Sequence, residues 1–259
     1  MKATAIAAHE KSFRETGMDS NGKKHLLTSV TVGMGADPSG PLALMECKRQ
    51  NGDSSFYFKE AVPKKRIVLH YTMGYLKGDI ATLTRPTEHV SVPFVIARDG
   101  TIYNLWESKY WSYHLGPGCV GGNTAMSQSS IGIELSNIGP LKKIGENLVT
   151  TYDDNDVYCA LSDTKMYTKM PQLYRKYGYY ATFTEAQYKS LITLLRFLTK
   201  KYSIPRQFIG VDKRYLVYSD DASATAATGI ISHVNVRGDG KTDIGAAFEW
   251  DKVITGVQQ

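Results

Sequence analysis

Short, almost uninterrupted apolar runs constrain the fold of this chain more than any other feature of its sequence. Arg66–Tyr71 and Ser130–Leu135 are rich in apolar, often β-branched side chains, which is typical of strands buried on both faces. Residues 229–233 form a similar, shorter run. A capping box at residues 184–187 precedes apolar residues at helical spacing that continue until Pro205. Central strands and a long amphipathic helix predict an α/β protein with a mixed central β-sheet flanked by helices.

Turn signals divide the rest of the chain. Residues 1–60 are rich in Gly, Ser, Lys and Asp, with short strands expected at 26–32 and 55–58, and we interpret them as an accessory N-terminal extension. Residues 61–259 form the main domain, in which Asp99-Gly100 predicts a two-residue hairpin loop between two strands. A polar, tyrosine-rich stretch at about 139–181 interrupts this domain as an insertion. A loop of that length is typically functional or locally ordered.

Composition excludes several classes of protein. The 259 residues are 42% hydrophobic and 22% charged, as in ordinary globular proteins of one large or two small domains. No stretch reaches the ~20 apolar residues of a membrane span, so we expect no membrane span. The three cysteines are too few and too scattered for a disulfide framework, which favours folding in a reducing compartment.

The net charge indicates what kind of partner the protein binds, and the N-terminal residues indicate where it is made. The formal net charge of +6 favours an anionic partner, but the sequence has no basic helix or aromatic-interleaved basic stripe, so we expect no nucleic-acid partner. His9, Glu10 and Lys11 interrupt the N-terminus before an apolar segment can form, which argues against a Sec signal peptide. We therefore expect synthesis in a bacterial or phage-infected cytoplasm.

Two predicted strands end in histidine. His70 ends the first run, His233 ends the last, and Asp243 follows ten positions later in a Gly-rich loop. Two imidazoles and one carboxylate leave a fourth position open, which is the donor set of a catalytic zinc site and not of a closed structural one. A lone histidine is more often an ordinary core or surface residue. The combination of all three residues favours the metal site.

Five motifs occur in an order that resembles a known family. They are residues 67–72 (IVLHYT), 96–102 (IARDGTI), 111–116 (WSYHLG), 130–135 (SIGIEL) and 233–250, which include Lys241-Thr242-Asp243 and Phe248-Glu249-Trp250. Together they resemble the type 2 N-acetylmuramoyl-L-alanine amidases, whose fold is shared with peptidoglycan recognition proteins. The resemblance implies one zinc ion per chain, bound by His70, His233 and Asp243.

The resemblance also implies roles for further residues. By this resemblance, Glu134 is expected to act as the general base. The alternative is that Glu134 forms a buried structural ion pair. Lys241 is expected to stabilise the oxyanion, with a solvated surface lysine as its alternative. His114 is expected to support the metal site or contact substrate, unless it merely packs against aromatic rings. Trp111 and Asn137 are further candidates for contacting substrate or supporting the site.

The chain departs from the family pattern at several positions. Val92 stands where some relatives carry a catalytic tyrosine, which leaves the base role to Glu134. Pro93 replaces a frequent histidine, Asn235 replaces an aspartate two residues after the second zinc histidine, and Ile244 replaces a proline. These differences affect the groups expected to orient the ligands and leave the ligand set intact.

The expected activity is hydrolysis of the amide between N-acetylmuramic acid and L-alanine of peptidoglycan or a muropeptide, by a zinc-dependent monomer. The alternative is a recognition module that binds peptidoglycan without cleaving it, although such proteins lack a zinc ligand that this chain keeps. The tyrosine-rich insertion either builds part of the substrate groove or packs on itself as a surface excursion. The enzyme is expected to act on the wall after non-classical release, or on muropeptides in the cytoplasm.

Overall fold

The computed structural model describes residues 3–35, 37 and 40–259. Six helices lie in this part of the chain: α1 Ala3–Thr16, α2 Leu76–Leu83, α3 Asn123–Gln128, α4 Glu185–Tyr202, α5 Asp221–Ala226 and α6 Trp250–Gln258. The strands are β1 His25–Val32, β2 Leu42–Arg49, β3 Arg66–Tyr71, β4 Phe94–Ile96, β5 Ile102–Asn104, β6 Ser130–Leu135, β7 Pro140–Ile144, β8 Asn147–Thr150, β9 Val157–Ala160, β10 Tyr167–Tyr174, β11 Tyr177–Ala181 and β12 Gly229–Ser232. The predicted α/β class is confirmed.

The central sheet has seven strands in the order β1-β2-β5-β4-β6-β3-β12. The pairs β1/β2 and β4/β5 are antiparallel, whereas β2/β5, β4/β6, β6/β3 and β3/β12 are parallel. The apolar runs at β3, β6 and β12 therefore lie side by side in the sheet, as runs buried on both faces should. This arrangement brings the ends of three parallel strands to one edge, where a ligand site is commonly found.

Strand periodicity separates the core from the site. Alternate side chains of β3, Ile67 and Leu69, point into a core formed with α4 and α6. His70 therefore points to the opposite face, and the parallel register places Glu134 of β6 beside it. The face covered by α4 and α6 is thus apolar, whereas the opposite face carries His70 and Glu134 as well as apolar residues such as Val68.

Helix α4 covers the apolar face. The capping box is confirmed, with Thr184 Oγ1 accepting from the Gln187 amide while the Gln187 side chain accepts from the Thr184 amide. The leucines of α4 lie at helical spacing and are fully buried: Leu191, Leu194, Leu195 and Leu198. Each contributes about 1.5–3 kcal/mol of hydrophobic stabilisation relative to exposure. The helix ends at Tyr202 and is capped by Ser203, whose backbone is left-handed.

The N-terminal segment joins the central sheet. The strand expected near residues 26–32 is present as β1, but residues 55–58 form only an isolated bridge between Phe58 and Trp111. Strand β2 pairs with β5 at Met45 and Glu46. Helix α1 contacts the loop between β4 and β5, where the Glu10 carboxylate accepts hydrogen bonds from the amides of Arg98 and Asp99. The domain boundary near residue 60 stays a prediction.

The hairpin between β4 and β5 differs from the prediction in its loop. Both strands form, but Ala97 pairs with Thr101, so three residues connect them and not two. Gly100 is the third of these residues, with a φ of 88°. A three-residue hairpin loop favours glycine at this left-handed position, which explains why Asp-Gly was a correct turn signal with the wrong loop length.

The tyrosine-rich stretch folds into a second sheet of five strands in the order β10-β11-β7-β8-β9. A small apolar cluster supports it, in which Leu141, Leu148 and Tyr158 are buried together with Ile6 of α1. The stretch is therefore locally ordered.

The described residues include no helix that is both long enough and apolar enough to cross a membrane. The three cysteines, Cys47, Cys119 and Cys159, are unpaired and buried.

Candidate metal centre

A cavity of about 680 Å³ opens over the face of the central sheet that carries His70 and Glu134. Six of the residues singled out from the sequence line it: His70, His114, Glu134, His233, Lys241 and Asp243. They come from β3, from the loop before α3, from β6, and from the segment after β12. The sheet therefore brings together residues that lie up to 173 positions apart in the chain.

Three potential ligand atoms converge in this cavity. His70 Nδ1 lies 2.9 Å from His233 Nδ1 and 3.1 Å from Asp243 Oδ2. His233 Nδ1 lies 2.9 Å from the same carboxylate oxygen. Tetrahedral zinc with ligand bonds of about 2.0–2.1 Å separates its ligand atoms by roughly 3.3 Å, so this triangle is slightly tighter than a zinc site.

The outer nitrogen of each histidine is also engaged. His233 Nε2 lies 2.9 Å from the Leu115 carbonyl oxygen, which can only accept, so Nε2 carries the proton and Nδ1 of a neutral ring offers a lone pair. His70 Nε2 lies 3.0 Å from His114 Nδ1. Contacts of this kind fix the orientation of metal-binding imidazoles. His114 thus supports His70 and stands outside the triangle.

The charge of the triangle fits a cation. Burial, and then the neighbouring His233, lower the pKa of His70 to about 4, so this ring is neutral at pH 7. Burial opposes ionisation of Asp243, but contact with His233 and His70 holds its pKa below the usual range. The neutral His70 ring, the inward Nδ1 of His233 and the ionised Asp243 carboxylate offer ligand atoms close to one another, and a divalent cation such as zinc suits this donor set.

Glu134 is the carboxylate closest in sheet register to the triangle. Its Cα pairs with that of His70, and its Oε2 is buried without a hydrogen-bond partner among the described residues. Burial, and then the charges of Asp243 and Asp79, raise the pKa of Glu134 well above its usual value, whereas Lys241 acts in the opposite direction. No ion pair holds Glu134, so the structural alternative to a base role has no support within the described chain.

Lys241 lies on the loop that carries Asp243. Its side chain is half-buried, lines the cavity and contributes positive charge at both His70 and Glu134. Tyr71 anchors the loop, because its hydroxyl donates a 2.5 Å hydrogen bond to Thr242 Oγ1. The strand that presents His70 thus also holds the loop that presents Lys241 and Asp243.

Trp111 and Asn137 do not line the cavity. Trp111 is buried against Phe58 in a stacked pair, and its indole nitrogen donates to Glu60 Oε2 at 2.9 Å. Asn137 is also buried. Its side-chain amide donates to the Ala181 and Thr182 carbonyls, and its oxygen accepts from the Gly139 amide. The structure gives both residues anchoring contacts away from the triangle.

The positions that depart from the family pattern also have identifiable contacts. Val92 lines the cavity, and Pro93 contributes its carbonyl to the Asn104 side chain. Asn235 accepts from the Ser232 amide and donates to three carbonyls of residues 213–216. The contact that orients the His233 ring is therefore its hydrogen bond to the Leu115 carbonyl oxygen.

Several contributors to the site were missed from the sequence. Gly132 lies between Val92 and His114, where an added Cβ would sit 2.5 Å from Val92 Cγ1 and 3.1 Å from His114 Nδ1. A glycine inside a strand is a signal of such close approach. Asp79 of α2 also lines the cavity, and no sequence motif marked it. Tyr152 lines the cavity as well and comes from the tyrosine-rich insertion, which was expected either to build part of the groove or to pack on itself.

Comparisons with known proteins agree on one family. The family model described as N-acetylmuramoyl-L-alanine amidase matches residues 60–246, which is most of the chain. A curated relative, "N-acetylmuramoyl-L-alanine amidase AmiD" of Escherichia coli (strain K12), is 23% identical over 221 residues. That alignment covers 83% of this chain but only 61% of the relative.

Solved structures with similar chains include one from Escherichia coli and one from Pseudomonas aeruginosa. AmiD from E. coli, in complex with the substrate anhydro-N-acetylmuramic acid-L-Ala-D-gamma-Glu-L-Lys, matches with a TM-score of 0.49 and 21% identity, covering 77% of this chain and 60% of that one. AmpDh3 from Pseudomonas aeruginosa in complex with anhydromuramic pentapeptide matches with a TM-score of 0.46 and 15% identity, covering 76% and 61%.

Proposed function

Because the chain belongs to the N-acetylmuramoyl-L-alanine amidase family, we propose that it hydrolyses the amide bond between N-acetylmuramic acid and the L-alanine of the peptidoglycan stem peptide. The observation that carries this proposal is the triangle of His70, His233 and Asp243 with Glu134 beside it in one cavity. The chain spans about 61% of its curated relative, so activity and substrate are inferred for this chain from its own site.

The triangle would hold one zinc ion per chain, through the Nδ1 atoms of His70 and His233 and the carboxylate of Asp243. When bound, the ion supplies Lewis-acid polarisation of the amide carbonyl and makes a water molecule more acidic. The buried contacts of Leu115 and His114 keep the two imidazoles aimed inward before any ligand arrives. This preorganisation lowers the cost of assembling the site.

Glu134 would act as general base and then as general acid. Its unpartnered Oε2 is free to accept a proton from the attacking water and to return it to the leaving amine of L-alanine. A carboxyl whose pKa is raised by burial and nearby carboxylates holds such a proton readily. Lys241 would place its ammonium near the negative charge that develops on the carbonyl oxygen.

The substrate groove would include the second sheet. Tyr152 lines the same cavity as Glu134 and is 56% exposed, so its ring is accessible to a ligand. Aromatic rings present flat apolar faces with a polar tip, which suits the faces of sugar rings. We propose a peptidoglycan or muropeptide substrate and a monomeric enzyme.

The deciding experiment is digestion of purified peptidoglycan and of a soluble muropeptide, with products identified by mass spectrometry. We expect free glycan and peptides that begin with L-alanine, activity lost on chelation, and recovery with added zinc. The matched control is His233→Ala, which removes a ligand and should be inactive at every zinc concentration. Binding of peptidoglycan with bound zinc but without cleavage would instead identify a recognition module.

A further inference from the structure

A second cavity of about 270 Å³ adjoins the metal centre and is formed by the tip of the second sheet. Its lining shares four residues with the main cavity: Met73, Gly240, Lys241 and Thr242. The other side is formed by Pro140, Arg175, Lys176 and Tyr177. A ligand bound at the metal centre therefore has a continuous path along the loop of Lys241 to the hairpin between β10 and β11.

The charge in this second cavity is of one sign. Arg175, Lys176 and Lys241 line it, and among the described residues its lining includes no carboxylate. The side chain of Arg175 reaches across to the metal-binding segment, where Nη1 donates to the Gly238 carbonyl at 3.1 Å. The Lys176 ammonium lies 5.4 Å from the centre of the Tyr177 ring. Both cations are therefore placed by contacts and keep further donors for an anion.

The backbone at this tip is unusual for such residues. Tyr174 pairs with Tyr177, so Arg175 and Lys176 form a two-residue hairpin loop, with φ of 47° and 70°. Loops of this type favour Asn-Gly or other residues that tolerate a left-handed backbone. Two long cationic side chains at these positions therefore act against the local backbone preference, and strain of this kind often accompanies ligand clamps.

We propose that the second cavity is an anion subsite that binds carboxylates of the stem peptide beyond the scissile amide. This inference rests on the proposed function. A peptide linked through the γ-carboxyl of D-glutamate keeps a free α-carboxylate, and its C-terminal residue carries another. Arg175 and Lys176 would bind these groups while Lys241 faces the reacting carbonyl. The second sheet thereby makes the enzyme prefer substrates with an unmodified, carboxylate-bearing stem.

The test compares two soluble substrates, N-acetylmuramoyl-L-Ala-D-γ-Glu-L-Lys and the same compound with both carboxylates amidated. The variant Arg175→Asn/Lys176→Gly removes both cations and installs the preferred loop sequence, so folding is protected. We expect KM for the carboxylate substrate to rise about tenfold, as loss of two exposed ionic contacts of about 0.7 kcal/mol each predicts. We expect kcat to be unchanged and KM for the amidated substrate to change less than about twofold.

The matched control is Lys143→Gln/Lys169→Gln, which removes the same charge from exposed positions of the same sheet outside both cavities. It should leave both KM values unchanged. Equal KM values of the wild type for the two substrates, or equal effects of the hairpin variant on both, would overturn the subsite.

A separate binding measurement distinguishes failure of the subsite from failure of the proposed function. Calorimetry with the tripeptide L-Ala-D-γ-Glu-L-Lys needs no catalysis. If the wild type cleaves neither substrate but binds the tripeptide, and the hairpin variant does not, the subsite stands and the amidase activity fails. If the wild type does not bind the tripeptide and its KM values do not depend on the carboxylates, the subsite fails.

Discussion

The central sheet and the second sheet contribute in different ways to the two adjoining cavities. The central sheet presents His70 and Glu134 from neighbouring parallel strands, so their relative positions follow from backbone pairing. The second sheet contributes Tyr152 from a loop and Arg175 and Lys176 from a hairpin tip. His70 and Glu134 are thus fixed by strand pairing, whereas the groups of the second sheet that are proposed to contact substrate lie on its loops. This division allows substrate preference to change without disturbing the metal centre.

The largest effect is expected from Glu134→Gln, which tests whether the chemistry belongs to the central sheet. The amide keeps the shape of the side chain but cannot accept the proton, so kcat should fall by about 10³-fold while zinc stoichiometry is unchanged. Activity on a soluble muropeptide and metal analysis provide the measurement. Glu146→Gln, in an exposed turn of the second sheet, is the control. Near-wild-type activity of Glu134→Gln would remove Glu134 from the mechanism.

A second prediction tests how tightly the central sheet is packed at the site. Gly132→Ala places a Cβ against Val92 and His114, so we expect a loss of about 1–3 kcal/mol in the free energy of unfolding, together with weaker zinc binding. Denaturant unfolding and metal titration measure the two effects. Gly33→Ala, where an added Cβ meets nothing within 4 Å, should change neither. Unchanged zinc affinity in Gly132→Ala would show that His114 does not position His70.

A third prediction concerns pH and the buried carboxyl of Asp79. Burial raises its pKa from 3.8 to about 7, although Ser136 and Thr72 donate hydrogen bonds that lower it. Between these two pKa values the native state holds a proton that the unfolded chain releases. The free energy of unfolding should therefore fall as pH rises from about 4 to 7, and this contribution should be constant above pH 7.

Asp79→Asn removes that titration. Thermal unfolding of the metal-free protein at pH 4.5 and 7.5 should show the free energy of unfolding of the variant rising by about 3 kcal/mol relative to the wild type between these two pH values. Parallel pH profiles for the two proteins would mean that Asp79 does not titrate in this range. The control is Asp154→Asn, at an exposed position of the second sheet. Its free energy of unfolding, measured at the same two pH values, should show no such rise relative to the wild type.

The smallest effect is expected from Tyr152→Ala. Loss of one exposed ring should reduce digestion of polymeric peptidoglycan about threefold, with zinc binding and stability unchanged, because the residue lies on a loop of the second sheet. Turbidity loss of a peptidoglycan suspension measures the rate. Leu173→Ala, an exposed position of β10 outside both cavities, should have no effect. A loss of zinc from Tyr152→Ala would contradict the division between the two sheets.

Local signals in the sequence were sufficient for the central elements. The bounds of β3, β6 and α4 follow from apolar runs and a capping box, because these patterns act over a few residues. The triangle of His70, His233 and Asp243 could be expected from residue type and resemblance. The carbonyl of Leu115 could not, because every residue has a carbonyl and only the folded chain shows which one meets His233.

The pairing of strands that are distant in the chain could not be predicted from the sequence for a similar reason. Nothing in β2 shows that it will pair with β5, since strand partners are set by burial across the whole sheet. The sequence predicts only that the tyrosine-rich stretch is functional or locally ordered, because its strands lack clear alternation of apolar and polar residues. Asp79 lies in no recognisable sequence motif, and its raised pKa follows from burial, which only the folded chain shows.

The parallel pairing of β2 with β5 has a practical consequence for fragment design. A fragment that begins near residue 60, where the family match starts, would lose β1 and β2 and leave β5 as an open edge with unpaired backbone groups. It would also remove Glu10 from the amides of the hairpin loop. Such a fragment should aggregate on expression, although it keeps the whole metal centre, so useful shortened forms should retain the two N-terminal strands.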